Sequence, residues 1–378
     1  MSTRVAALAT ILAAQLLMPM RNATAQQARD TAPRDTAPRD TVARVLYRGL
    51  PYGSQANFSP LSVLLNKGFD HFQARNARRD VWTFPYGNAL RYGVWDALRH
   101  PAAAIERSPG WSTWMRTEVL PLSFNSRDAA WVVNYTEHLL AGGLTYRMLG
   151  EWYAEHHVPF PRVWAATTTF AAAALNEAAE FPTATRAAAS TVADLYLFDI
   201  GGILLFNWNP LVRVFGERLQ AADWSNQATF TAPDGVLRNT GQYMIYKIPL
   251  PAEQWRLFVR GGMGAQFGLS RQWSRGLAIT AALGMDTQVR LVDPVTRSES
   301  IRLAPGGGVY IDRDNSLLAS LTAGPSIQRI TLNIYPGVLT GHLRDLGVWG
   351  GVTADGRVVA GVIHRRTLGV GVGYGPRS

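Results

Sequence analysis

Three groups of polar side chains interrupt otherwise apolar stretches of this chain, and their types are those that move protons or hold charge. Asn134, Glu137 and His138 stand at i, i+3 and i+4, so Asn134 and His138 share one helical face. Asn176, Glu177 and Glu180 break an alanine-rich run, and Asp194 and Asp199 bracket the aromatic segment LYLF. Charge in such surroundings is costly unless paired or hydrogen-bonded, so these groups are expected to meet when their helices pack. Two readings follow. In one, the groups form a structural polar network that fixes helix register. In the other, His138 is a general base oriented by Glu177 or Glu180. One histidine with no second at ligand spacing assigns no metal set, and no cofactor is implied. The chain has no G-x-S-x-G, no H-E-x-x-H and no phosphate loop.

The elements that must position these groups are helices between about Asn57 and Gln227. Ser59 is placed to cap a helix from Pro60 to Ala77, with Leu61, Leu64, Leu65, Phe69 and Phe72 near one face. Asp128 is placed to cap a long helix running to His156. A second apolar helix, VWAATTTFAAAALNEAAEF, ends at Pro182, and a third, TVADLYLFDIGGILLFNW, closes at Asn209-Pro210. The uncharged part of the alanine-rich run falls short of the roughly 20 residues a membrane span needs, so these are expected as buried or interfacial helices.

From about Ala228 the pattern changes to period two. Leu257, Val259, Phe267 and Leu269 face one way, while Arg260, Gly262, Gly264, Gln266, Gly268 and Ser270 face the other. Leu277 to Leu291 repeats the rule. Successive side chains of a strand point to opposite faces, so this region is expected to be eight to ten antiparallel strands. Its separators carry turn chemistry: Asp293-Pro294, Asp314-Asn315, Pro336-Gly337 and Asp355-Gly356. Glycine recurs on the second face, which includes the tract Gly306-Gly307-Gly308, and this reads as curvature. The fold class is therefore α+β: an N-terminal helical region (57–227) followed by an antiparallel β-barrel or curved sheet (228–378) of outer-membrane type. Trp255, Trp273, Tyr335, Trp349 and Tyr374 are candidates for its aromatic girdle. The helices of Asp128–Asn209 are expected to occupy the room that the glycine face leaves.

The compartment is read from the N-terminus. Arg4, the apolar run VAALATILAAQLLMPM and the small-x-small site Ala23-Thr24-Ala25 make residues 1–25 a secretory signal peptide. Residues 26–56 follow as a linker opened by the repeat ARDT-APRDT-APRDT. No cysteine occurs in the 378 residues, which suits export without disulfides. All but Lys67 and Lys247 of the 37 basic residues are arginines. They are scattered without a basic block or nucleic-acid motif, so the net charge of +10 does not indicate nucleic-acid binding. Outer-membrane lipid is the expected partner; no small-molecule ligand is specified.

The segments NYTEHLLAGGLTYR, ALNEAAEF and DLYLFDIGGILLF together resemble an uncharacterised family of Gram-negative envelope proteins, domain of unknown function 3943. Carried over, its marked positions are Asn134, Tyr135, His138, Glu177, Asp194, Gly201 and Gly202. This chain departs from the family's Gly-His-Pro, with Glu137 and Leu139 flanking the histidine, and has Asn176 where a tryptophan is common. The resemblance implies an envelope protein with a helical core and no known activity.

Overall fold

In the computed structural model, residues 44–375 are described apart from 76, 78, 108, 121–129, 181–186, 232–234 and 293–298. The expected signal peptide, the linker repeat up to residue 43, the Asp128 cap, the helix stop at Pro182 and the Asp293-Pro294 turn lie outside the described residues. The rest is α+β within one compact unit.

The sheet has thirteen strands among the described residues. They are β1 (Ala222–Asp223), β2 (Thr229–Thr231), β3 (Val236–Arg238), β4 (Met244–Pro249), β5 (Trp255–Gly262), β6 (Gly264–Gln272) and β7 (Leu277–Val292). Next come β8 (Glu299–Arg313), β9 (Ser316–Ala323), β10 (Gln328–Ile334), β11 (Leu346–Thr353), β12 (Val358–His364) and β13 (Gly371–Tyr374). The order is β1-β4-β5-β6-β7-β8-β9-β10-β11-β12-β13-β2-β3. From β4 to β13 each strand pairs antiparallel with the next in sequence, as short connections require. The run from Arg256 to Ser270, expected as one strand, is a hairpin whose tip is Met263, with Gly262 opposite Gly264. A one-residue tip preserves parity, so odd residues stay on one face through the turn.

Two pairings differ from a plain meander. β13 lies parallel to β2, with Gly371, Val372 and Gly373 opposite Thr229, Phe230 and Thr231. The short strands β1 to β4 also share one register. Ala222 faces Ile245 and Asp223 faces Met244, while Thr229 faces Arg238 and Thr231 faces Val236, all at the same offset. Between them Trp224 N donates to Tyr243 O (2.8 Å) and Asn226 N to Gly241 O (2.9 Å), continuing that register.

The two faces of the sheet are chemically opposite. Leu283 (77% exposed), Val372 (65%), Phe267 (59%), Leu321 (51%), Ile330 (50%), Leu269, Leu303 and Leu332 point to the outside. Lys247, Gln266, Ser270, Thr280, Asp312 and Asn333 are buried on the inner face. There Lys247 Nζ meets Asp312 Oδ1 at 2.6 Å beside the packed rings of Trp224, Phe258 and Tyr310. Of the girdle candidates, Trp255, Trp273 and Tyr374 are exposed, but Tyr335 and Trp349 are buried. The Tyr335 hydroxyl donates inward to Ser225 O (2.8 Å), a bond an outward ring would lose.

Of the helices of Asp128–Asn209, expected in the room the glycine face leaves, Asn134–Gly142 touches β5 and Thr145 Oγ1 accepts from Gln242 Nε2 (2.9 Å); residues 52–79 meet the inner face at further points. Gly53 N donates to Pro336 O (2.7 Å) and Ser54 Oγ to Asp223 O (2.8 Å), near one end of the strands. Asn66 Oδ1 accepts from Gly241 N (3.1 Å) and Asp70 Oδ1 from Gln242 N (3.2 Å). Towards the other end, Arg75 N donates to Gln288 O (3.0 Å) and Arg75 Nε to Pro325 O (2.6 Å). Helix α1 (Pro60–Asn66), capped by Ser59 with a reciprocal bond from Ser62, belongs to this segment.

Behind it stand three longer helices. α2 runs from Ala130 to Glu155, α3 is Pro161–Glu180, and α4 runs from Ala189 to Leu205. α3 packs on both α2 and α1. The expected linker of 26–56 ends early: Leu46 and Tyr47 are buried, and their amides both donate to Glu151 Oε2 (2.8 and 2.7 Å). Arg147 Nε completes that carboxylate at 2.9 Å. Burial pushes the Glu151 carboxyl up, and these bonds oppose the shift. Glu151→Ala leaves two amides and Arg147 Nε without their acceptor, and should cost about 3–5 kcal/mol in guanidinium unfolding of the purified protein.

Candidate functional site

Two glycines decide where the polar groups of α2 and α4 meet. A Cβ on Gly143 would sit 2.8 Å from Gly202 O, and one on Gly202 would sit 2.5 Å from Leu139 O. Only glycine at both positions lets the two helices cross so closely. The helices also change winding there. Asn134–Gly142 of α2 and Ala193–Asp199 of α4 are π-helical, and such stretches shift side chains off the α-helical spacing. His138 lies in the first, Asp194 and Asp199 in the second.

The crossing brings His138 between the two aspartates. His138 Nδ1 lies 3.2 Å from Asp199 Oδ2, and Nε2 lies 3.9 Å from Asp194 Oδ1. Asp199 Oδ1 faces Lys67 Nζ at 3.7 Å, which ties the cluster to the end of α1. α3 adds Glu177, fully buried, so that one donor atom each of His138, Glu177 and Asp194 falls within 4.8 Å of the others. All these side chains are buried. Burial, with the nearby charges of Glu177, Glu118, Glu180 and Asp199, pushes the Asp194 carboxyl well above the usual range.

The other expected members fall around this centre. Glu180 accepts from Asn176 Nδ2 (2.9 Å), so the second candidate orienting group for His138 serves its own helix instead. Asn134 Nδ2 donates to Glu118 O (2.9 Å) and Oε2 (3.3 Å). Glu137 is half-buried and lies outside the central group. The residue that orients His138 is Asp199, which the sequence offered only as a network member. Lys67, Asp70 and Glu118 were not singled out at all. They come from distant short segments, and the one usable signal was Lys67, one of two lysines in an arginine-rich chain.

Asp70 lies one turn past Lys67 and accepts from Gln242 N and from the Gln73 side chain. Burial raises its pKa to about 7, against the opposing bonds from Gln242 and the charge of Lys67. No protein-family model, curated protein or solved structure matches the chain.

Two outcomes are expected. Gly202→Leu should push α4 off α2 and lower stability by about 3 kcal/mol or more, the cost of forced overpacking, read from the denaturation midpoint. Because the folded pKa of Asp70 lies above its unfolded value, the native state holds the extra proton between about pH 4 and 7. Stability should therefore be greatest below that window and fall as pH rises through it, by at most about 1.4 kcal/mol per unit. Asp70→Asn should flatten that part of the stability–pH curve.

Proposed function

We propose that this chain is an outer-membrane protein of the bacterial envelope, whose sheet closes into a barrel with its own N-terminal segment filling the interior. One observation carries the reading: the sheet buries Lys247, Asp312, Gln266 and Asn333 on its inside and presents Leu283, Leu303, Leu321, Leu332 and Val372 outward. A soluble sheet does the opposite, whereas lipid rewards an apolar outer face.

Closure is supported by register. Because β1 with β2, and β3 with β4, keep one offset, the segment 222–231 has β4 along one edge and β13 along the other. Merging those pairs leaves eleven strands in an up-and-down series. An odd series that returns to its start brings its last strand parallel to its first, and β13 is parallel to β2. The segment 52–79 supports a filled interior over an open pore. A void of about 60 Å³ beside Gln73, Tyr243, Arg260 and Gln266 has room for a few waters.

The role this supports is structural or binding, in contact with outer-membrane lipid and not with nucleic acid. The resemblance to the envelope family at His138, Glu177, Asp194, Gly201 and Gly202 fits the same compartment, as does the expected signal peptide. A second reading, an enzyme acting on lipid or lipopolysaccharide, rests on the buried His138–Asp199 pair. In it His138 is the base and Asp199 takes the orienting role first given to Glu177 or Glu180. His138 is only 6% exposed, which favours the structural role for the cluster.

The chain should float with outer membranes after carbonate washing, and shift in gel mobility on heating in detergent. Release by carbonate as a water-soluble protein would sink the reading. His138→Ala with Glu177→Ala should lower the level of folded protein while envelope lipid profiles stay unchanged. Normal protein levels with an altered lipid profile would instead favour the enzyme.

A further inference from the structure

Three consecutive helices converge on one point and each delivers a metal-type donor to it. α2 supplies His138, α3 supplies Glu177 and α4 supplies Asp194, with one donor atom of each inside 4.8 Å of the other two. We propose that His138, Glu177 and Asp194 form a binding site for a divalent transition-metal cation of the zinc class.

The imidazole is arranged as a ligand. Its Nδ1 faces Asp199 Oδ2 at 3.2 Å, so an Nδ1–H donated to that carboxylate leaves the Nε2 lone pair aimed at Asp194. A carboxylate behind the ring, fixing tautomer and orientation while raising the basicity of the other nitrogen, is the recurring outer-shell arrangement of metal-bound histidine. Lys67 holds the far oxygen of Asp199, 3.7 Å away. The chain of contacts thus runs Lys67, Asp199, His138, and then the point shared with Asp194 and Glu177.

The second observation concerns Asp194. Its Oδ1 is buried, accepts no hydrogen bond among the described residues, and faces His138 Nε2 at 3.9 Å. The two atoms face one another across a gap too long for a hydrogen bond. A cation bound to both would fill that gap. Zinc–nitrogen and zinc–oxygen bonds of about 2.0–2.2 Å put tetrahedral neighbours about 3.4 Å apart, so contraction by about half an ångström closes the pair. One nitrogen and two carboxylates suit Zn²⁺, Mn²⁺ or Fe²⁺ more than the softer thiolate-seeking ions. The π-helical stretches of α2 and α4 are what bring His138 and Asp194 off their regular helical faces onto this point. A bound ion would clamp α2, α3 and α4 together.

The test uses the full chain without a histidine tag, purified in detergent, stripped with EDTA and dialysed against ZnCl₂. The expected result is about one Zn²⁺ per chain by plasma mass spectrometry, with a thermal midpoint that rises on zinc addition. His138→Gln and Asp194→Asn should lose the bound zinc. Asp199→Asn, which alters only the support of the ring, should weaken binding about 10–100-fold. Glu180→Gln, outside the donor set, should bind as the parent does. If the ligand variants fail to fold, the unaltered protein still decides. Cobalt(II) bound there should show visible absorption that zinc displaces. Folded protein that takes up neither zinc nor cobalt above background, or Asp194→Asn binding as tightly as the parent, would overturn the proposal.

Discussion

The whole arrangement depends on satisfying a polar inner sheet face. Once Leu283, Leu321 and Val372 point outward, the period-two rule forces Lys247, Gln266, Ser270 and Asp312 inward, where an unmet donor costs as much as a lost hydrogen bond. Part of the demand is met within the face itself, by Lys247 with Asp312 and by Tyr310 Oη donating to Gln266 Oε1 at 2.6 Å. Residues 52–79 add bonds to the backbone at Asp223, Gly241, Gln242 and Pro325, near both ends of the strands and between, while Ser270 Oγ and Thr280 Oγ1 have no hydrogen-bond partner among the described residues. The same segment packs against α3 through α1.

The same logic applies to the helical layer. Charges there are tolerable because a close crossing at Gly143 and Gly202 lets them find one another. Lys67, from the end of α1, ties this second network to the sheet-bound segment. The two polar systems are thus coupled through Lys67 and through Gln242, whose Nε2 donates to Thr145 Oγ1 on α2 (2.9 Å). Losing either would be felt by the other, through Lys67 and through the Asp70–Gln242 contact one turn further on.

Strand periodicity was readable because it is local. Leu257, Phe267 and Leu269 lie outside as their alternation demands, and Asp314-Asn315, Pro336-Gly337 and Asp355-Gly356 fall between strands as their turn chemistry demands. The turn at Met263 was hidden because its parity matches that of an uninterrupted strand. Tyr335 and Trp349 were assigned outward on residue type, and the inward hydrogen bond from Tyr335 was invisible without its partner at Ser225. At the cluster, spacing rules placed Asn134 with His138 on an α-helical face, but the π-helical winding altered which groups face each other. His138, Glu177 and Asp194 were legible as polar groups in apolar helices. That Asp199 orients the imidazole, and that Lys67 and Glu118 join, depends on a crossing geometry that spacing along one helix cannot express.

In the proposed outer-membrane placement, the Leu283, Leu321 and Val372 face lies against lipid while the Ser270, Thr280 and Asn333 face does not. The absence of native cysteine makes single-cysteine spin labels a clean probe. Labels placed singly at positions 283, 321 and 372, in the protein reconstituted into bilayers, should collide with oxygen dissolved in the membrane and be shielded from a water-soluble nickel chelate. Strong nickel access with weak oxygen access at these three positions would place that face in water and rule out the lipid contact.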